Sequence, residues 1–373
     1  MINRTNLIFT HKLITAFADS LVKVFIPLII LKGTGDMMLT MFYLCVYYLL
    51  CAFFNIVLKK FLQKYGVIAI VLHAIPLIAL QFVLTLQINV WICLVVALLA
   101  SLGQVLYSVP LNLLFTFTDK EVNVAKFQIA TNVGKLIFIL LSGYVLGSTL
   151  ENSVLLLAIV GTVLYLLSVI PVLYGYRLLK FTYQKISQEK QETVKKGYGW
   201  FNLYHLAFSI YQSILDVIIP LHLFVENLTI EKIAIVMALI EVCKIFANLL
   251  GKFFVKKGKP LVSVLVSVSL LISGSLVMIF VKDAIALYIC SCVVAVSFPL
   301  LFVPMFSLFV KKVKLDKNQF DGMSYRDVYI MLGKDFLYVP YFLFPNLIGQ
   351  FVVGIISAVV VAVSASKVTK TKN

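Results

Sequence analysis

The chain has 373 residues, 62% of them hydrophobic and only 13% charged, where a soluble globular domain carries roughly 45–50% and about 25%. That composition excludes a soluble protein and points to an integral membrane one. The formal net charge of +16 would suit nucleic acid only if the basic residues shared a solvated face, but they stand between apolar stretches, which points to a membrane surface.

A bilayer core about 30 Å thick needs about 20 apolar helical residues. Cutting the sequence at its polar breaks predicts twelve spans, over residues 10–31, 37–58, 67–86, 89–116, 127–148, 152–176, 201–224, 231–254, 260–281, 284–310, 327–346 and 347–366. The last boundary rests on Pro345 and Asn346, a turn signal in an otherwise unbroken run. The first apolar run is long and has no small-residue cleavage site after a short core, so the N-terminus is expected to stay attached to it. Outside the span interiors, every basic residue except Lys32, Lys232 and Lys282 falls in or beside an even-numbered loop or at a terminus. Positive charge marks the cytoplasmic side, so both termini are expected there. The longest polar stretch, Lys180 to Tyr198, has mixed charge and reads as a solvated linker or a helix along the membrane face. The expected organisation is an all-α integral membrane protein: an N-terminal six-helix bundle (1–177), a cytoplasmic linker (178–200) and a C-terminal six-helix bundle (201–373).

The two halves repeat at an offset near 193. Ser20, Pro27 and Leu28 match Ser213, Pro220 and Leu221; Asn55 and Lys59 match Asn248 and Lys252; Gly134 with Lys135 matches Gly333 with Lys334 after a small slip. A duplicated six-helix unit follows, with parallel repeats related by an axis along the membrane normal. Pro110 and Pro304 also pair, and prolines within spans permit kinks.

Twelve spans, a parallel six-plus-six repeat and a basic central loop together resemble the major facilitator superfamily of secondary transporters. That family's loop between spans two and three usually reads G-x-L-A-D-R-x-G-R-R. Here it is KKFLQKYG, Lys59 to Gly66: Lys64 and Gly66 keep two positions, while Gln63 stands where the aspartate belongs. In the second half GKFFVKKG keeps Gly251, Lys256 and Gly258 but has Val255 at the acidic position. The resemblance implies that these loops gate the transporter, and the missing aspartate implies a gate built differently. In the fourth span, Ala97 to Pro110 lacks the buried arginine of many drug antiporters, with Gln104 its only strongly polar residue. The fifth has Phe138 and Ile139 in place of Gly-Pro, which weighs against a standard multidrug antiporter.

Eight charged residues fall inside predicted spans and clear of their ends: Lys23, Lys135, Lys244 and Lys334 against Asp19, Asp216, Glu241 and Asp335. Each costs about 2.5–3.5 kcal/mol at a helix centre, so they must pair or face water. Asp19 and Lys23 at i, i+4, and Glu241 and Lys244 at i, i+3, share helix faces. Lys23 also holds the repeat position of Asp216. The leading expectation is that Asp19 or Asp216 accepts a proton, its pairing with Lys23 changes, and the halves rock. Lys135 and Lys334 are candidate cavity cations for an anionic substrate, and Asp335 and Gln104 complete the polar candidates. Tyr43 and Tyr47 with Tyr338 and Tyr341 are candidates for an aromatic substrate site between the halves. His11, His73, His205 and His222 read mainly as interfacial side chains that snorkel.

The six cysteines sit in apolar runs without CxxC spacing, so neither disulfides nor a zinc site is expected. No metal cluster, nucleophile elbow or Walker loop is present in the sequence, so no catalytic residue, metal or cofactor is expected and an enzyme is disfavoured. The expected function is secondary active transport of a small organic solute, proton-coupled and leaning to export, by a monomer in the bacterial cytoplasmic membrane. Its partners are the solute, H+ and membrane lipid, and nucleic acid is excluded. The alternatives are a lipid or glycolipid translocator on the same fold, and a transport-inactive receptor or scaffold.

Overall fold

A span in lipid must satisfy its backbone internally, so each apolar run folds as helix. In the computed structural model the described residues are 4–118, 124–148, 152–187, 198–315 and 319–370, and all regular structure among them is helical. The first span begins as α1 (Arg4–Leu21), passes through a 3-10 turn (Lys23–Phe25) and ends as α2 (Ile26–Thr34). Gly35, at φ +67°, closes α2, and Asp36 opens α3 (Met37–Val57) by accepting from the Met38 and Leu39 amides at 2.8 and 3.2 Å. The third span bends by 45° between α4 (Lys59–Leu72) and α5 (Ala74–Val83). Pro76 has no amide for the Leu72 carbonyl, so the hydrogen-bond ladder breaks there. α6 (Val90–Thr118), α7 (Val124–Gly147) and α8 (Ser153–Tyr174) follow. The predicted linker opens as the amphipathic α9 (Tyr176–Ser187), and its positions 188–197 lie outside the described residues.

In the second half the seventh span runs from α10 (Gly199–Ser213) through a π-helical segment (Ile214–Ile218) into α11 (Ile219–Val225). Then come α12 (Ile230–Lys256), α13 (Pro260–Phe280), α14 (Ala284–Leu315), α15 (Gln319–Tyr338), a 3-10 turn (Val339–Phe342) and α16 (Leu347–Lys370). Among the described residues nine of the spans are long and apolar enough to cross a membrane, or ten if the bent pair α4–α5 is one span. The other two predicted positions are helical as well. The apolar part of α7 is short (131–147), and α15 carries Asp321, Arg326, Asp327, Lys334 and Asp335.

The duplication is visible in local chemistry. Pro27 and Pro220 each stand second in the helix after a break, and each leaves without an amide the carbonyl four residues earlier, that of Lys23 and of Asp216. Asn55 donates its amide to the Cys51 carbonyl at 3.1 Å and Asn248 to that of Lys244 at 2.7 Å, the same bond on repeat-related turns. In α14, Pro304 likewise lacks an amide for the Leu300 carbonyl, which accepts from the Ser263 hydroxyl at 2.6 Å.

Contacts divide the chain into two compact units. Unit 1 holds Met1–Asn123, Ser148–Val194 and Lys312–Met331; unit 2 holds Val124–Gly147, Lys195–Lys311 and Leu332–Asn373. The membership differs from the sequence halves 1–177 and 201–373 because α7 lies along α12 for most of its length. Small residues permit this approach: a Cβ at Gly143 would fall on that of Ala234, and one at Gly147 on the Glu231 side chain.

Candidate transport site

Unit 2 gathers the charged side chains most tightly. Lys244, on α12, places its Nζ 2.9 Å from Glu241 Oε1 and 3.1 Å from Asp216 Oδ1, and 5.6 Å above the Phe298 ring centre. The other oxygen of Asp216 accepts from Gln212 Nε2 at 3.3 Å. The other oxygen of Glu241 lies 3.2 Å from the Asn132 side-chain amide, which donates to it once its nitrogen is assigned to that side. Lys135 and Lys334 are within electrostatic range of Asp216. The expected Glu241–Lys244 pair is therefore formed, and Asp216 joins it.

Accessibility separates the two carboxylates. The Glu241 and Lys244 side chains are 7% and 8% exposed, while Asp216 is 40% exposed. From Ala207 to Leu223 every residue is buried except Gln212 and Asp216. A lipid-facing stripe would expose apolar residues; two polar groups one turn apart mark a polar opening. The π-helical segment sets this up, since its widened turn carries Asp216 at the break that precedes Pro220.

Unit 1 repeats the arrangement with a changed sign. Asp19 and Lys23, at the repeat positions of Gln212 and Asp216, are accessible within the stretch Ala18–Leu31, where only Val24 and these two are not buried. Lys23 Nζ lies 3.8 Å from Asp19 Oδ1 and donates to Gln104 Oε1 at 2.9 Å. Tyr165 donates to Asp19 at 2.6 Å. Thus Lys23 has its partners within unit 1, and Asp216 has its own within unit 2.

The aromatic candidates are buried in their own units. Tyr43 and Tyr47 stack at 6.1 Å in unit 1; Tyr338 and Tyr341 are buried in unit 2, as is Asp335. Gly333 lets α15 approach α10, since a Cβ there would strike the Leu206 carbonyl and the Ser209 hydroxyl. The histidines depart from expectation, because all four are buried rather than snorkelling. His11 donates from Nδ1 to the Ser168 carbonyl at 2.6 Å, His73 donates to that of Ile70, and their rings lie 5.4 Å apart. Packing among α1, α4, α6 and α8 takes them inward, against Tyr107 and Tyr165. Among the described residues no group of three or more His, Cys, Asp or Glu side chains is placed to hold a metal, and all six cysteines are free.

The loop positions have definite work. Gln63 donates to the Ser187 carbonyl at 2.9 Å, at the C-terminal end of α9. Tyr183 of α9 lies over Gly66, where any Cβ would strike its ring, and donates to the Leu62 carbonyl at 2.6 Å. Lys64 stands 5.0 Å from the Tyr65 ring centre. A carboxylate at position 63 would face a carbonyl oxygen and a helix C-terminus, both negative, so an amide donor fits where the resemblance leads one to expect aspartate. Gln63→Asp is expected to lower stability by about 1–2 kcal/mol, and Gln63→Glu comparably, read as a lower thermal midpoint of the purified protein. Lys59 completes the loop, bonded to Asp321 at 2.9 Å and lying 4.5 Å over Tyr325. In unit 2 a Cβ at Gly251 would meet the Pro299 carbonyl at 3.0 Å, Lys256 ends α12 and is exposed, and Gly258, at φ +66°, closes the helix.

Sequence reasoning missed Gln212, Asn132, Tyr165 and Asp321. The 193-residue offset from Asp19 points to Gln212; the other three rest on contacts between distant helices and carry no local signal.

Residues 9–320 match the sequence profile of the Major Facilitator Superfamily. A comparison with curated proteins gave no match. Among solved structures, the fold is similar to a bacterial homologue of the iron transporter ferroportin, outward-facing, with a TM-score of 0.70 at 13% identity over 99% of this chain and 100% of that one. The inward-facing form gives a TM-score of 0.66 at 14% identity over 98% of both chains. The Major Facilitator Superfamily transporter FucP, in its outward conformation, gives 0.64 at 15% identity over 98% and 99%. The chain belongs to the Major Facilitator Superfamily, and is a multi-pass membrane protein and a secondary transporter working by alternating access.

Proposed function

We propose that this transporter carries a small organic solute bearing an anionic group, driven by protons that Asp216 takes up and releases. One observation carries the proposal: Lys244 is clamped between a buried carboxylate, Glu241, and an accessible one, Asp216. With Asp216 ionised, the two carboxylates hold Lys244, and Lys135 and Lys334 add positive charge within electrostatic range of Asp216. When Asp216 is protonated it releases Lys244 to Glu241 alone, and the positive charge facing the opening rises. Solute affinity then differs between the two protonation states, the differential free energy that coupling requires. The basic loops and both termini lie in the cytoplasm, the chain acts as a monomer in a bacterial cytoplasmic membrane, and net transport is outward. Iron, soaked into the ferroportin homologue, is not the solute proposed, since Asp216 and Glu241 are both held by Lys244.

Proteoliposomes of the full chain, given an imposed pH gradient and a panel of labelled small organic anions and neutral solutes, test this. Gradient-driven flux of at least one anion is expected, falling about tenfold or more in Asp216→Asn. Flux of none, or flux indifferent to the gradient, would overturn it.

A further inference from the structure

We infer that the groove between α4 and α9 is a binding site for the headgroup of an anionic phospholipid. The groove is open to the surface and is lined by Lys64 to Ile68 of α4 and by Tyr176, Lys180, Tyr183 and Gln184 of α9. Its floor is apolar and fixed, made by Gly66, Val67 and the buried Tyr183 ring. Its rim is cationic. Lys64 stands by the Tyr65 ring and Lys180 lies 5.8 Å from that of Tyr176, and among the described residues neither lysine is in an ion pair.

No aspartate or glutamate occurs in 59–68 or 174–187. The exposed face of α9 continues it, with Arg177, Lys180, Phe181 and Lys185 at helical spacing. Tyr174 and Phe181 are 72% and 70% exposed beside the end of α8. Exposed aromatics at the end of a span, next to lysines, are the signature of a membrane interface rather than of bulk water. A diffusing inorganic anion makes no use of them; a lipid phosphate seated between Lys64 and Lys180, within reach of the Gln184 amide, uses both. A zwitterionic lipid brings its own cation and gains little from two lysines. Bound there, the lipid braces the turn of α4 that also holds Gln63 to α9 and Lys59 to Asp321.

The test compares lipid retention by native mass spectrometry of the purified full chain in mixed micelles containing phosphatidylglycerol or phosphatidylcholine. Phosphatidylglycerol is expected to stay bound and to raise the thermal midpoint, and phosphatidylcholine to do neither. Lys64→Gln with Lys180→Gln is expected to reduce phosphatidylglycerol retention about 10- to 30-fold, while Lys252→Gln with Lys257→Gln leaves it unchanged. Equal retention of both lipids, retention unaffected by the first pair, or equal loss with the second pair would overturn the site. So would an equal rise in midpoint with inorganic phosphate, which would reassign the groove to a soluble anion.

Discussion

Lys244→Met is expected to be the most destabilising substitution of a charged residue in unit 2, by about 3–5 kcal/mol, the range seen when one partner of a buried pair is removed. The loss follows from what remains: Glu241, 7% exposed, would keep a buried charge without its lysine, with the Asn132 amide against it. Removing both charges, in Glu241→Gln with Lys244→Met, should return most of the stability, because neutral packing replaces buried ion pairs at little cost. Asp216→Asn should cost less than about 1 kcal/mol, since its side chain is 40% exposed and Lys244 keeps Glu241. Thermal unfolding of the purified variants checks the order. A Lys244→Met protein as stable as the parent would show that the clamp does not hold unit 2 together.

Gly143→Ala should destabilise by about 1–3 kcal/mol, the usual range for overpacking. The new methyl would land on the Ala234 Cβ, an atom fixed to backbone that cannot swing away, so α7 and α12 would have to part. Moving the methyl instead of adding one should undo the damage. With Ala234→Gly the nearest remaining neighbours of the new Cβ, the Cα at position 234 and the Ile230 carbonyl, stand at 3.5 Å, an ordinary contact. The double variant should therefore unfold close to the parent, with strong coupling between the two sites. Additive losses would mean that the two helices are not held together at this point. The separation of α7 from α12 would also pull Asn132 away from Glu241, so the single variant should impair transport beyond its effect on stability.

Helices were legible wherever a long apolar run left no alternative, and the intrahelical pairs Asp19–Lys23 and Glu241–Lys244 followed from spacing alone. The repeat told more than its weak identities promised, since Asn55 and Asn248 make the same bond and Pro27 and Pro220 follow the same kind of break. Periodicity could not show that Asp216 turns to Lys244 on another helix, because that depends on how α12 packs against the π-helical segment. Nor could it show that the histidines face inward, since a polar residue near a span end has the same sequence signature whether it snorkels or is buried by its neighbours. Gln63 looked like a lost aspartate; with α9 in place it is the donor that the site requires.

Asp216, as proposed, couples protons to solute movement without itself holding the solute. Solute exchange in proteoliposomes, measured as counterflow with no pH gradient and compared with gradient-driven accumulation in the same Asp216→Asn preparation, tests it most directly. Counterflow near the parent's rate with accumulation abolished is the predicted result; loss of both together, or retention of both, would contradict it.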